Sequence, residues 1–125
     1  MIFLDTNYLI RFFTRDIEAQ AKKAKKIIEK SEKIYVPLIV IAEAVYILET
    51  HYKTKKETLC SILTNFVNQS NIICAPFVIG SFDIYRHENI SFYDSLLASE
   101  AIYERGSIAT FDKRLNKIFL KYKSR

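Results

Sequence analysis

Short apolar runs that alternate with helical patterns constrain the fold of this chain most strongly. The runs begin near positions 2, 34, 72 and 107, so they lie 32, 38 and 35 residues apart. Each gap holds one or two stretches with apolar residues at helical spacing, as in the crossovers between parallel strands. We therefore predict one α/β domain over residues 1–125, with a twisted parallel sheet of four or five strands and helices on both faces.

The composition supports a helix-rich domain and excludes two other classes of protein. Half of the 125 residues are apolar, which supplies a core and excludes an intrinsically disordered chain. Only two glycines and two prolines are present, fewer than the turns of a hairpin-rich β domain need. Because the two cysteines lack metal-ligand spacing and no apolar stretch could cross a bilayer, we expect a reduced, cytoplasmic protein.

Polar residues predict where several helices begin and end. Asp16 fits the N-cap of the second helix, and Thr54 to Glu57 fits a capping box before a later helix. Pro37 fits the start of a helix that runs to about residue 52. Gly106 fits the stop of the helix that begins near residue 91.

Four carboxylates stand where the predicted topology could bring them to one edge of the sheet. Asp5 directly follows the first apolar run, and Asp112 follows the fourth after one intervening residue. Asp94 lies in the first turn of its helix. Glu43 lies within the apolar segment LIVIAEAVYIL, where a buried carboxylate is costly unless it is paired or metal-bound. Since ligands bind at the carboxyl ends of parallel strands, these acids converge if the first and fourth strands are neighbours.

Each acid also has a purely structural explanation. Asp5 and Asp112 fit helix N-caps, and Asp94 fits the last residue of a capping box. Glu43 is also consistent with an exposed side chain or with the ion-pair partner of a buried Lys or Arg. If the acids do cluster, two charges 4 Å apart repel by roughly 1 to 4 kcal/mol, so a counter-charge is needed. Oxygen ligands without His or Cys spacing favour Mg²⁺ or Mn²⁺.

The segments that carry these acids resemble a known family. In chain order they are MIFLDTNYLIRFF, IAEAVYIL, ISFYDSLLASEA and IATFDKRL. They are similar to the motifs of PIN-domain ribonucleases, and most similar to those of VapC, the toxin subunit of VapBC toxin–antitoxin pairs. The resemblance covers nearly the whole chain. It implies a PIN-like twisted parallel sheet, metal-dependent endonuclease cleavage of RNA, homodimers, and inhibition by a small antitoxin protein.

The resemblance also implies roles for individual residues. Thr110 matches the hydroxyl residue two positions before the last acid, where it would orient water or a carboxylate in catalysis. Asn7 matches the residue that supports the first acid. The acids implied as catalytic ligands of one or two Mg²⁺ or Mn²⁺ ions are Asp5, Glu43, Asp94 and Asp112.

Positive charge is concentrated in two segments. The net charge is +5, and the last thirteen residues hold six basic side chains and no acid. The second segment, residues 22–26, fits a solvated helix face as well as a polyanion contact. An acidic site repels RNA, so basic residues near the motifs are candidates for RNA binding. These candidates are Arg11, Arg15, Lys113 and Arg114.

Two other functions remain open at this point. One is a PIN nuclease that acts in RNA processing outside a toxin–antitoxin pair. The other is a non-catalytic, Mg²⁺-binding signalling module like a receiver domain. A receiver needs an acid after its third strand, where this chain has Cys74, Ala75 and Pro76, so the sequence disfavours it.

Overall fold

The computed structural model describes residues 1–125 as three strands and seven helices. In chain order these are β1 (Ile2–Phe3), α1 (Thr6–Thr14), α2 (Glu18–Lys30), β2 (Ile34–Tyr35), α3 (Leu38–Thr50), α4 (Lys56–Val67), β3 (Ile72–Ile73), α5 (Val78–His87), α6 (Phe92–Tyr103) and α7 (Lys113–Lys123). None of the helices combines the length and apolar character that crossing a bilayer would require.

The three strands form a parallel sheet in the order β1-β2-β3. Ile34 of the central strand pairs with Ile2 on one side and with Ile72 on the other. Helices α1 and α2 connect the first two strands, and α3 and α4 connect the second two. The α/β class and the parallel helical crossovers predicted from the spacing of the apolar runs are therefore confirmed.

The predicted fourth strand, Ser107 to Thr110, is not formed, and neither is a fifth, so the sheet is smaller than predicted. Residues 107–111 make no hydrogen bond with other backbone groups. Ile108, the one large apolar side chain of the predicted strand, packs against α-helical residues near the C-terminus. The edge of β1 is consequently unpaired, and the Phe3 side chain is 65% exposed.

The apolar interior is divided into two clusters. The main core contains 24 buried residues between Leu4 and Leu96, contributed by the sheet, by helices α1 to α6 and by the loops between them. A second cluster, called here the C-terminal cluster, joins α7 to α5 and α6. Its six buried members are Ile84, Ala98, Leu115, Ile118, Phe119 and Tyr122.

Two of the predicted helix starts are wrong. Ile17, not Asp16, occupies the N-cap position of α2, and it makes no side-chain capping bond. Helix α4 begins after Lys55 without a side-chain cap, so the capping box predicted at Thr54 is absent. Pro37 does precede the first residue of α3, as its fixed φ angle predicts.

Three residues adopt a left-handed backbone conformation with positive φ, and all three are basic. Arg15 follows α1 with φ of 56°, Lys53 follows α3 with φ of 51°, and Arg105 follows α6 with φ of 57°. The residue that turns the chain after α6 is therefore Arg105, and the adjacent Gly106 does not adopt a positive φ. Gly106 still contributes to the helix end, because its N–H donates to the carbonyl of Ala101 at 2.8 Å.

Candidate functional site

Two of the four predicted acids share one open pocket at the surface. Asp94 in the first turn of α6 and Asp112 immediately before α7 both line this pocket, whose volume is about 540 Å³. We call it the acid-pair pocket. Lys113 and Arg114 also line it, so two cations border the two carboxylates.

The start of α6 leaves the Asp94 carboxylate free. Ser91 is the N-cap, in agreement with the helix predicted to begin near residue 91, and its Oγ accepts a hydrogen bond from the Asp94 N–H at 3.1 Å. The Asp94 side chain does not return a bond to Ser91, so the capping box is only half formed. Both oxygens of Asp94 are therefore available to a ligand in the acid-pair pocket.

Asp112 caps α7 with one oxygen and keeps the other available. Its Oδ1 accepts hydrogen bonds from the N–H groups of Arg114 at 2.9 Å and Leu115 at 3.1 Å. Thr110 Oγ1 accepts a bond from the Asp112 N–H at 3.0 Å. Thr110 therefore fixes the backbone that carries Asp112, and Oδ2 of Asp112 makes no hydrogen bond within the protein.

Asp5 lies in a different pocket, which is lined by residues of α1 and α2. It is the N-cap of α1, where its Oδ1 accepts a hydrogen bond from the Tyr8 N–H at 2.9 Å. The second pocket has a volume of about 270 Å³ and is called here the Asp5 pocket. Asn7 lines the same pocket but makes no side-chain bond to Asp5, so the implied support of Asp5 by Asn7 is not formed.

Glu43 is not a buried carboxylate inside an apolar helix, and of the alternatives left open for it the exposed side chain is the one that the structure shows. Its side chain is exposed and lines neither the acid-pair pocket nor the Asp5 pocket. The reason is that Ile39, Glu43 and Tyr46 lie four and three residues apart and share one solvent-facing side of α3. The immediate neighbours Ala42 and Ala44 are buried while Glu43 is exposed, so apolar neighbours in sequence did not mean burial.

The structure brings together a pair of acids and not the predicted four. No group of three or more His, Cys, Asp or Glu side chains lies close enough to hold a metal ion. The cause is the packing of the C-terminal residues. Asp112 stands at the start of α7, which packs against α6, so Asp112 lines a pocket with Asp94 and does not reach Asp5 through a strand beside β1.

The acid pair fits a hard divalent cation held mostly by water. Mg²⁺ commonly binds one or two carboxylates and completes its coordination with waters and substrate phosphates. Asp94 and Asp112 supply three carboxylate oxygens without hydrogen bonds inside the protein, and no His or Cys stands among the pocket residues. The donor set therefore suits Mg²⁺ or Mn²⁺ better than a metal that prefers nitrogen or sulfur.

The four predicted RNA-binding residues occupy three different places. Lys113 and Arg114 line the acid-pair pocket, and Arg114 also donates to the Asn89 carbonyl at 3.1 Å. Arg11 lines the Asp5 pocket. Arg15 lines neither, and instead borders a separate basic depression on α2.

Part of the positive charge at the C-terminus is neutralised within the chain. Lys121 Nζ lies 2.7 Å from Glu88 Oε2, and Arg125 pairs with Asp83 at 3.6 Å. The Tyr122 hydroxyl also donates to Glu88 Oε2 at 2.8 Å. The Lys121 hydrogen bond, followed by that of Tyr122, lowers the pKa of Glu88. Burial, followed by the Glu88 contact, raises the pKa of Tyr122 to about 12.

Two further polar residues line the Asp5 pocket, and the sequence predicts no individual role for either of them. Gln20 and Lys23 of α2 line this pocket beside Asp5. They lie three residues apart and therefore share one side of the helix. That spacing is the available signal, but the charge pattern assigns Lys23 only to the basic segment 22–26, which fits a polyanion contact as well as a solvated helix face.

Comparison with known proteins agrees with the motifs. A family model described as PIN domain matches residues 2–119, a range that includes all four acids. A VapC ribonuclease of Aquifex aeolicus (strain VF5) is 28% identical over 128 aligned positions, which cover 97% of this chain and 94% of that protein. No solved structure gives a significant match.

Proposed function

The chain belongs to the PIN-domain family, and from this we propose that it is a divalent-metal-dependent endoribonuclease, the toxin of a toxin–antitoxin pair. The observation that carries the proposal is the acid-pair pocket, in which Asp94 and Asp112 face two cations. The similarity to a VapC ribonuclease along nearly the full length of both proteins supports RNA as the substrate. Membership of the family leaves no reason to retain the receiver-like alternative.

The proposed chemistry is hydrolysis of an RNA phosphodiester at the acid pair. When bound, Mg²⁺ or Mn²⁺ would supply an activated water and stabilise negative charge on the scissile phosphate. Asp94 and the free oxygen of Asp112 would hold the ion. Thr110 would keep Asp112 oriented through its backbone N–H. Asp5 and Glu43 belong to the proposed acid set through the family resemblance and lie outside this pocket.

The cations at the rim would bind the RNA strand. The acid pair alone repels a polyanion, and Lys113 and Arg114 border the same pocket. Arg114 also donates to the Asn89 carbonyl, which limits the positions open to its guanidinium. We expect these two side chains to contact phosphates and to contribute affinity without reading base sequence.

A cleavage assay on a short single-stranded RNA tests the proposal. We expect cleavage with Mg²⁺ or Mn²⁺, none in EDTA, and a loss of at least about a hundredfold in Asp94→Asn and Asp112→Asn, since removing even an outer partner of a metal site costs 10- to 100-fold. The matched control is Glu100→Gln, an exposed acid farther along the same helix as Asp94. Full activity in EDTA, or in a folded Asp94→Asn variant, would contradict the proposal.

We propose an antitoxin protein and a second copy of this chain as its protein partners, as the family resemblance implies. Exposed apolar side chains near the acids support a protein-binding surface on α3 and α6, which pack against each other. These side chains are Ile39, Tyr46, Tyr93 and Leu97. A neighbouring reading frame for a small DNA-binding protein would favour the toxin role over RNA processing. A mass that stays monomeric over a broad concentration range would exclude the homodimer.

A further inference from the structure

We infer that the Asp5 pocket is a second phosphate-binding subsite for the RNA strand, formed by Arg11 and Lys23. We further infer that Asp16 and Tyr52 hold Arg11 in place for this role. The inference rests on the proposed ribonuclease function and extends it, because it assigns a substrate contact to a pocket separate from the acid pair.

The Asp5 pocket has the chemistry of an anion site beside a single acid. Five of its six lining residues are polar or charged. They provide one carboxylate, one guanidinium, one ammonium and two side-chain amides; the six residues are Asp5, Asn7, Tyr8, Arg11, Gln20 and Lys23. Among the lining residues the two cations outnumber the one acid, but Arg11 also pairs with Asp16, so the attraction for an anion depends on the free edge of Arg11 and on Lys23.

Arg11 is held rigidly from one side and is open on the other. Its Nε donates to Gln20 Oε1 at 3.0 Å, and its Nη1 lies 3.3 Å from Asp16 Oδ1. The same Nη1 donates to the Tyr52 hydroxyl at 3.3 Å. Nη2 has no partner in the protein, and the side chain is 21% exposed. A guanidinium fixed in this way loses little conformational entropy when its free edge binds a phosphate.

The acid that holds Arg11 is itself fixed by two hydroxyl groups. Tyr52 donates to Asp16 Oδ2 at 2.6 Å, and Thr14 donates to Asp16 Oδ1 at 2.9 Å. The Tyr52 hydrogen bond, followed by that of Thr14, lowers the pKa of Asp16, so this carboxylate stays charged at neutral pH. Tyr52 lies beyond the end of α3, so this contact ties the turn between α1 and α2 to another part of the fold.

Lys23 is the cation of this pocket without an ion-pair partner. Its neighbour Lys22 pairs with Glu18 at 3.3 Å on an exposed side of the same helix. Lys23 has no acid within ion-pair distance and extends along the Asp5 pocket. Because Asp16 offsets part of the Arg11 charge, the net attraction for a phosphate depends mainly on Lys23.

Binding of a fluorescent single-stranded RNA tests the subsite without requiring cleavage. Anisotropy is measured in EDTA over a range of salt concentrations for the wild type, Lys23→Gln and Lys25→Gln. The control, Lys25, is exposed on the same helix but borders the depression at Arg15 instead of the Asp5 pocket. We expect Lys23→Gln to weaken binding several-fold and to reduce the log–log salt slope by about one, with a clearly smaller change in Lys25→Gln. Equal changes in RNA affinity and salt slope in the two variants would contradict the proposed subsite.

Coupling between Tyr52 and Arg11 tests the positioning role. Tyr52→Phe removes only the hydroxyl that binds Asp16 and Arg11, so we expect weaker RNA binding in the wild-type background and no further loss in Arg11→Gln. Melting curves of each variant verify that it is folded. Additive losses would overturn the positioning role.

The outcomes also separate this inference from the proposed function. If the wild type cleaves RNA and Lys23→Gln binds it as well as the wild type does, only the subsite is wrong. If the wild type neither binds nor cleaves RNA, the ribonuclease proposal is wrong and the subsite is rejected with it.

Discussion

At the scale of single residues, a carboxylate can cap a helix and still offer an oxygen to a ligand. Asp112 uses Oδ1 for two N–H groups of α7, and Asp5 uses Oδ1 for one N–H group of α1. Helix capping and metal binding, which compete as explanations in the sequence, are therefore compatible in the structure. Substitutions that retain the cap are needed to separate the two roles.

Two substitutions at Asp112 separate helix capping from metal binding. Asp112→Ala removes the cap of α7 and should lower the free energy of unfolding by about 1 kcal/mol, whereas Asp112→Asn should leave it nearly unchanged because Asn caps as well as Asp. Both variants should lose RNA cleavage, since both lose the charged ligand. Thermal melting and the cleavage assay are measured on the same samples. An active Asp112→Asn variant would show that the residue is only a cap.

Glu88 should make stability depend on acid pH. Its pKa is lowered in the folded state, first by the Lys121 hydrogen bond and then by Tyr122, so its contribution is present above its ordinary pKa and is lost as pH falls through the lowered value. Glu88→Gln should therefore destabilise the protein at pH 7, by about 1–3 kcal/mol for a charge-assisted bond, and far less near pH 3. Urea unfolding at the two pH values measures this, and an equal loss at both would contradict it.

The raised pKa of Tyr122 should make stability depend on alkaline pH as well. Because burial and Glu88 raise it to about 12, the neutral phenol contributes stability below pH 10, and this stability declines as pH rises from 10 towards 12. Tyr122→Phe should flatten this decline when urea unfolding is also measured at alkaline pH, between the ordinary tyrosine pKa of 10.0 and about 12, and an unchanged decline would contradict the prediction.

At the scale of elements, sequence periodicity predicted the strands and crossovers that follow from local patterns. It did not predict the feature that depends on packing between distant segments, the absence of a fourth strand. The spacing of apolar runs correctly predicted β1, β2, β3 and the crossovers between them. The run at residues 107–110 resembled a further strand, but Ile108 packs against the C-terminal cluster and not against the sheet. A short apolar run contains no information about which surface it will contact, so its pairing could not be predicted from the run alone.

Helix α7 should unfold separately from the rest of the protein. It is held by the C-terminal cluster, which is distinct from the main core. Ile118→Ala should remove about 2–5 kcal/mol from this cluster, while the main core retains all its contacts. Hydrogen exchange should then quicken in α7 and remain slow in α3, and cleavage should fall because Asp112 loses its place beside Asp94. Equal loss of protection in both helices would contradict this division.

At the scale of the whole molecule, the candidate site depends on how two distant parts of the chain meet. The sequence identified the four acids, but the meeting of Asp94 and Asp112 depends on α7 packing against α6, which neither motif specifies. Glu43 illustrates the same difficulty, since the exposed side of α3 is as apolar as much of its buried side. Motifs therefore located the residues, and tertiary packing decided which of them share a pocket.

Metal binding should stabilise the folded protein through the acid pair. A ligand that binds only the folded state at a hundredfold excess over its Kd adds about 2.7 kcal/mol, which for a domain of this size raises the Tm by several degrees. We expect millimolar Mn²⁺ to raise the Tm of the wild type, and to raise that of Asp94→Asn much less. Glu100→Gln should behave as the wild type does. An equal metal-induced rise in the Tm of Asp94→Asn would show that the ion binds at another site.

The order of the elements along the chain has a consequence for its synthesis. The main core ends at Leu96, and the strands pair in the order in which they leave the ribosome, so most of the fold can form before translation is complete. Asp112 gains its two N–H donors only when Arg114 and Leu115 have emerged, and α7 packs only through residues up to Tyr122. At about 5–20 residues per second, the last thirteen residues take about one to three seconds. A nascent chain with a folded core thus lacks an assembled acid pair, so we expect the proposed ribonuclease to stay inactive until α7 has packed.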